Sequence, residues 1–430
     1  MAVDHEPKTF LTSLFAAAVA AADPYEAIRA NLPVRPKGRT IVIGAGKASG
    51  EMARAFEALW DGPLEGIVVT RRGSHAPCNR IEIIEASHPV PDVASLMASR
   101  RLMETVSGLT EDDLVVALIS GGGSSLLALP QDGLTLEDEI AVAEVLLASG
   151  APISAMNVVR TQLSAIKGGR LALAAYPAKV VTLIVSDIPG DDPGLVASGP
   201  TVANRALPAD ALQIIERHRL RLPARVMDFL TRRNGTDADP DHPCFARNEV
   251  KVIVSAAASL AAAAARAEKL GVRAVVLGDA IEGEAREVAK AHVATVDDIL
   301  HKGGPSERPL VLLSGGECTV TIRGDGKGGR NTEFLLALAI EIAGRDGLFA
   351  LAADTDGIDG SEDNAGAFTD GSAVTRLAAR GLEAHHLLAR NDAWTAFNTV
   401  NDLFVTGPTG TNVNDLYLAV RRSALGSFGR

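Results

Sequence analysis

The residues richest in chemistry form the run Gly324-Asp-Gly-Lys-Gly-Gly-Arg-Asn-Thr-Glu333, where Gly324, Gly326, Gly328 and Gly329 surround Lys327 and precede Arg330. An apolar run, Phe334-Leu-Leu-Ala-Leu-Ala339, follows at once. The pattern predicts a flexible loop feeding a helix, with Asn331 or Thr332 as N-cap and Glu333 in the first turn. Glycines allow several backbone N–H groups to turn toward one point, and a helix start favours an anion there. Lys327 and Arg330 supply the charge a phosphate needs.

Other loops repeat the theme. Ser120-Gly121-Gly122-Gly123-Ser124-Ser125 offers amides and hydroxyls that could ring a carboxylate or phosphate. Lys47 lies among Gly44, Gly46 and Gly50, which read G-x-G-x-x-x-G. That is one residue too long for a dinucleotide fingerprint, and the next apolar run ends in Arg71-Arg72 rather than an acid. Two arginines could instead take a 2′-phosphate, so an NADP enzyme stays open. Walker A spacing is absent, as is the G-x-S-x-G elbow of serine hydrolases. Asp187, Asp191 and Asp192 crowd one loop, and Asp354, Asp356, Asp359 and Asp363 another. Carboxylates joined by phosphate oxygens hold Mg²⁺, although aspartates also shape turns. The second loop is no EF-hand, because Ile358 and Asp359 stand where an oxygen ligand and a glycine belong. His75 and His88 lie near prolines and glycine and are assigned no proton-transfer role. Anion cradles, isolated cations and carboxylate loops together point to phosphoryl transfer.

These loops need rigid elements behind them. Runs at 40–43, 66–70, 81–86, 114–119 and 180–185 read as strands, nearly apolar throughout except the third. Such runs are parallel strands covered on both faces. Strand, Gly-rich turn, helix, strand is the doubly wound α/β pattern, which binds ligands beyond the strands' C-terminal ends. The polar, turn-rich segment at 232–243 marks a boundary, giving two domains, 1–240 and 241–430. Beyond it, strands are expected at 250–254, 274–277, 309–322, 349–353 and 417–420, and a helix at 259–270. Leu-Ile-Ser-Gly-Gly-Gly at 118–123 is echoed by Leu-Leu-Ser-Gly-Gly-Glu at 312–317, as if one strand-end device were used twice.

Composition narrows the function classes. The 430 residues are 47% hydrophobic and 22% charged, which makes a globular chain with more than one core. Aromatics are 4% and net charge is -11, with no basic block, which argues against nucleic acid as a partner. Cys78, Cys244 and Cys318 are scattered, as for reduced thiols in a cytoplasmic protein. Residues 8–22 read as an amphipathic helix rather than a signal peptide, and no run reaches the roughly 18 apolar residues of a membrane span.

With these motifs in order from about residue 40 to 416, the chain resembles the glycerate 2-kinase family, whose C-terminal half is the MOFRL domain. The resemblance rests on Gly44-Ala-Gly-Lys-Ala48, Ser87-His-Pro-Val-Pro-Asp92, Ser120-Gly-Gly-Gly-Ser-Ser125, Leu163-Ser-Ala-Ile-Lys-Gly-Gly-Arg170, Ser186-Asp-Ile-Pro-Gly-Asp191, Ala197-Ser-Gly-Pro-Thr201, Ser314-Gly-Gly-Glu317, Gly328-Gly-Arg-Asn-Thr-Glu333, Ala353-Asp-Thr-Asp-Gly-Ile-Asp-Gly360 and Gly407-Pro-Thr-Gly-Thr-Asn412. It implies a Rossmann-like N-terminal domain, an α/β MOFRL domain with a mixed sheet, and an active site in a cleft between them. It implies phosphorylation of D-glycerate at the 2-hydroxyl, with ATP and Mg²⁺. It places the catalytic pair on Lys47 and Arg330; taken with the acidic loops, the hydroxyl proton would go to Asp187 or Asp354. Substrate and phosphates would be held by Gly44, Gly46, the 120–125 loop, Lys167, Gly315, Gly316, Glu317, Lys327, Gly328, Gly329, Asn331, Thr411 and Asn412. Metal would fall to Asp187, Asp191, Asp354 or Asp356. The partners are a small hydroxy acid and a nucleotide, and a homodimer is open. The family has also carried the name hydroxypyruvate reductase, an NAD(P)H reaction for which no nicotinamide site is complete here.

Overall fold

The computed structural model describes residues 6–235, 238–303 and 309–421. The chain divides into two compact units, one of residues 24–253 and one of residues 1–23 with 254–430.

The unit of residues 24–253 is built on six strands, β1 (Thr40–Ala45), β2 (Glu65–Arg71), β3 (Ile81–Ala86), β4 (Leu114–Ser120), β5 (Lys179–Val185) and β6 (Glu249–Val254). Their order is β3-β2-β1-β4-β5-β6, and the pairs β1/β2, β1/β4, β2/β3 and β4/β5 are parallel. Every residue of β1 and β4 is buried, which is why neither run has a polar face. Ile41, Ile43, Val115, Ala117 and Ile119 share a core with Leu102, Leu126 and Leu171 from flanking helices. Burial of each Ile, Val or Leu side chain here contributes about 1.5–3 kcal/mol before chain entropy is counted. The sheet grows outward in opposite directions from β1 and β4, so their C-terminal ends form the switch point where open α/β sheets bind ligands.

The second unit carries a mixed sheet of β7 (Arg273–Glu284), β8 (Leu310–Thr319), β9 (Leu348–Asp354), β10 (Gly366–Asp370), β11 (Leu403–Phe404) and β12 (Asp415–Arg421). Its order is β11-β10-β9-β12-β8-β7, with β7/β8 parallel and the other pairs antiparallel. The final strand inserts between β8 and β9, so Asp415 pairs with Gly316 on one side and Asp354 on the other. The helix Arg330–Glu341 packs Phe334, Leu335 and Leu338 into this unit's core.

The N-terminal helix forms as its apolar spacing dictates, over Pro7–Ala21. Phe10, Leu11, Leu14, Phe15 and Ala18 make its apolar face, and they pack with Leu260, Ala263 and Ala267 of the helix Ala256–Lys269. Phe15 also meets Phe404 edge-on at 5.1 Å. The compact units therefore divide at 23/24 and 253/254, where the sequence places one boundary near 240 and keeps residues 1–23 with the first domain.

Candidate active site

In the unit of residues 24–253 the switch point brings together three of the sequence-selected loops. Lys47 donates its backbone N–H to the Gly121 carbonyl at 2.8 Å, and Ala48 donates to the Ser120 hydroxyl at 3.0 Å. Ser49 and Ser120 share a hydrogen bond of 3.0 Å in the buried layer beneath. Gly121 lies against Asp187 so closely that an added Cβ would sit 1.7 Å from the carboxylate. Gly122 has φ of 78° and caps the short helix Gly123–Leu126; a Cβ there would meet His88 Nε2 at 2.9 Å and Lys47 Cγ at 3.1 Å. The crest at 121–122 is thus walled by Lys47, His88 and Asp187. Lys47 is half-buried, and no carboxylate among the described residues pairs with its ammonium. Ser124 shares a 2.7 Å hydrogen bond with Ser198, which donates to Asn157 at 2.8 Å. Ala197 and Ser198 hold left-handed φ of 52° and 60°, local strain of the kind found at functional sites. His88 belongs to this wall, although the sequence assigns it no role.

Other expected residues lie elsewhere. Lys167 is 1% exposed, and its ammonium donates to the Leu127 carbonyl at 2.7 Å and Glu139 at 2.6 Å. Burial pulls its pKa down while Glu139 opposes. It cannot touch a substrate from there, so the expected contact is corrected. Asp191 has a left-handed φ of 54° in the turn after β5. Arg71 donates to Ser74, and Arg72 pairs with Asp92, so both candidate 2′-phosphate ligands are engaged in local contacts.

In the second unit, Arg330 is held by three carboxylates. Its Nε meets Asp415 at 2.6 Å, one terminal nitrogen Asp354 at 2.8 Å and the other Glu317 at 2.7 Å. Asp415 also accepts from Asn331 at 2.8 Å and from the Tyr417 hydroxyl at 3.0 Å. Burial pushes the Asp354 carboxyl well above the ordinary carboxylate range, Asp415 and Asp356 push it further, and Arg330 opposes. Burial likewise raises Asp415 against the pull of Arg330 and Asn331. Burial raises the Tyr417 phenol well above its usual value and the Cys318 thiol to about 11. The carboxylates in turn hold Arg330 firmly charged although it is largely buried. The sequence singled out Arg330, Glu317 and Asp354 but missed Asp415 and Tyr417.

The loop at 324–330 differs from the expected cradle of open amides. Arg323 and Gly324 donate to Asn391 Oδ1, Gly326 to the Arg390 carbonyl, Lys327 to Asp392 and Gly329 to Thr332. Helix capping comes from a distant residue: Asp359 accepts from the amides of Asn331 and Thr332, each at 2.9 Å. Burial lifts the Asp359 pKa to about 6, with those amides opposing. Glu333 faces Arg286 at 2.6 Å and Asn391 at 2.8 Å. The Lys327 ammonium lies 3.3 Å from Glu362 and over the Trp394 ring.

Gly315 and Gly316 sit within β8, paired with Leu416 and Asp415 of β12, and not at a strand end as the sequence echo implies. Gly316 is glycine because Ile281 of β7 passes it; a Cβ would lie 2.1 Å from the Ile281 carbonyl. The 407–412 segment is tied to the acidic loop by Thr409, whose amide donates to the Asp356 carbonyl and whose hydroxyl donates to that of Thr355. The Thr411 hydroxyl and Asn412 amide nitrogen are buried with no hydrogen-bond partner among the described residues. Among those residues no group of three or more His, Cys, Asp or Glu side chains could hold a metal ion.

A doubly wound sheet with a lysine and a glycine crest at its switch point, joined in one chain to a mixed sheet with a carboxylate-clamped arginine, defines a two-unit α/β enzyme. Residues 310–415 match the MOFRL family, and residues 10–231 match a domain of unknown function, DUF4147. The chain is 51% identical over 416 residues to an Agrobacterium vitis protein named "Putative hydroxypyruvate reductase", covering 96% of this chain and 94% of that one. It is 38% identical over 399 residues to D-glycerate 2-kinase of Thermotoga maritima, covering 92% and 94%. A crystal structure of glycerate kinase from Thermotoga maritima superposes with a TM-score of 0.84 at 35% identity, over 96% of this chain and 99% of that one. The chain belongs to the glycerate 2-kinase family with a MOFRL C-terminal region.

Proposed function

We propose that this chain transfers the terminal phosphoryl group of ATP to the 2-hydroxyl of D-glycerate, giving 2-phospho-D-glycerate and ADP. The observation that carries the reading is the meeting of Lys47, the 121–122 crest and Asp187 at the switch point. A cation without a carboxylate partner beside glycine amides suits an anionic substrate, and a neighbouring aspartate suits proton acceptance from its hydroxyl. Glycerate's carboxylate is assigned to the 120–125 loop, charge on the transferring phosphoryl to Lys47, and the hydroxyl proton to Asp187.

Arg330 serves differently from Lys47. Asp415 and Asp354 are buried and fix its fork, whereas Glu317 is 48% exposed and can give way to a phosphate oxygen. The Thr411 hydroxyl and Asn412 amide are orphaned donors that fit nucleotide oxygens. Mg²⁺ arriving with nucleotide phosphates needs only one or two protein carboxylates, so it does not require a three-residue cluster of the kind absent among the described residues. Asp187, Asp191, Asp354 and Asp356 are the candidates to hold it, and the ion would supply charge neutralisation at the phosphates.

Against the reductase reading, the glycine loop at 44–50 does not fit a dinucleotide fingerprint, and its candidate ribose-phosphate ligands Arg71 and Arg72 contact Ser74 and Asp92. The cytoplasm is the proposed compartment, a reading that fits three cysteines of which no two are joined in a disulfide. No helix among the described residues is long and apolar enough to cross a membrane. The proposed partners are the hydroxy acid and the nucleotide, with no nucleic acid. The test is ADP release that requires both D-glycerate and Mg²⁺, run beside NADPH oxidation with hydroxypyruvate. Glycerate-dependent ADP supports the kinase; NADPH loss without ADP overturns it.

A further inference from the structure

The buried Lys167 is too deep for substrate, yet it touches the backbone that shapes the substrate loop. Its ammonium donates to the carbonyl of Leu127, the residue that closes the helix Gly123–Leu126, and to Glu139 of the helix Leu136–Ala148. The backbone that follows reaches the other wall. Gly168 donates to the Ser198 carbonyl at 3.0 Å and Gly169 to the Gly199 carbonyl at 2.8 Å, while the Ser198 hydroxyl meets Ser124 at 2.7 Å. Ser198 is one of the two adjacent non-glycine residues held at left-handed φ, a conformation that needs outside support. Side chain and main chain of one short segment thus brace the 123–126 turn from both sides.

We propose that Lys167 is a positioning residue for the hydroxy-acid site, and that its charge pair with Glu139 fixes the turn against which the substrate carboxylate is read. This rests on the kinase reading for its substrate. A buried ammonium with two charge-assisted acceptors holds one geometry, where an apolar side chain would let the Leu127 carbonyl seek water.

The experiment compares Lys167→Met with the double variant Lys167→Met, Glu139→Gln. In the single variant Glu139 keeps Arg160, which also faces it, as a charge partner. In the double variant the Lys167–Glu139 pair is gone and Arg160 loses its carboxylate, so thermal unfolding recorded beside the kinetics separates a general loss of stability from a local effect on the turn. Loss of a charge-assisted hydrogen bond predicts KM for D-glycerate raised roughly ten- to a hundredfold in both, with KM for ATP unchanged and kcat little altered. Hydrogen–deuterium exchange of peptides over 121–127 should quicken about tenfold or more, with peptides over 330–341 unchanged. A wild-type KM for glycerate in the double variant, or unchanged exchange at 121–127, overturns the proposal. If the wild-type enzyme forms no phosphoglycerate, the kinase reading fails on its own, and the exchange result still decides the brace.

Discussion

Arg330→Met is the perturbation whose consequence follows most directly from the contacts in the structure. The substitution removes a guanidinium that meets Asp415 at 2.6 Å, Glu317 at 2.7 Å and Asp354 at 2.8 Å, and two of those carboxylates are buried. Breaking a buried pair by deleting one partner costs about 3–5 kcal/mol, because the remaining charge is stranded. For a unit of this size that is a fall in unfolding temperature of roughly 6–20 °C near pH 7.5. The pH dependence has a definite sign. Asp354 and Asp415 already titrate above the ordinary carboxylate range in the folded state, and Arg330 is the group that holds them down. Without it both rise further, so the folded variant binds protons that the unfolded chain releases. Stability then increases as pH falls from neutrality toward the unfolded carboxylate pKa, and the variant's deficit narrows. Thermal unfolding of wild type and variant at pH 7.5 and pH 5 reads this directly. A deficit below about 1 kcal/mol, or one equal at both pH values, would refute the view that Arg330 neutralises buried carboxylates.

Three further outcomes follow from the same contacts. Lys47→Met is expected to lower kcat by roughly two orders of magnitude with little change in unfolding temperature, since no buried partner is stranded; steady-state kinetics beside thermal unfolding checks this. Gly121→Ala places a Cβ 1.7 Å from the Asp187 carboxylate, so it should cost about 1–3 kcal/mol and displace Asp187; an unaltered kcat/KM would show that Asp187 is not needed. Asp359, raised to about 6, contributes stability below the unfolded carboxylate pKa that is lost as pH rises through 6. Asp359→Asn should therefore flatten the stability slope between pH 4 and 6.5, measured by urea unfolding.

Much of the frame could be read from residue order. Thr40-Ile-Val-Ile43 and Leu114-Val-Val-Ala-Leu-Ile119 could only be covered parallel strands, and they are β1 and β4. Lys47, the 120–125 loop and Asp187 were legible because a doubly wound sheet delivers strand ends to one edge. What stayed hidden depends on long-range pairing. Asp415 reaches Arg330 only because β12 inserts between β8 and β9, and no local pattern announces an insertion. Asp359 caps a helix that begins 29 residues earlier, so no capping signal lies beside the helix. Lys167 was misread because a lysine before two glycines looks the same exposed or buried. The 324–330 loop was read correctly as feeding a helix, but its amides answer Asn391 and Asp392, side chains over 60 residues away.

The most direct test of the account is the identity of the product. Purified protein with ATP, Mg²⁺ and D-glycerate should give a phosphorus resonance of 2-phosphoglycerate growing in step with ADP. Formation of 3-phosphoglycerate would contradict the proposed acceptor hydroxyl, and no phosphoglycerate at all would contradict the kinase itself.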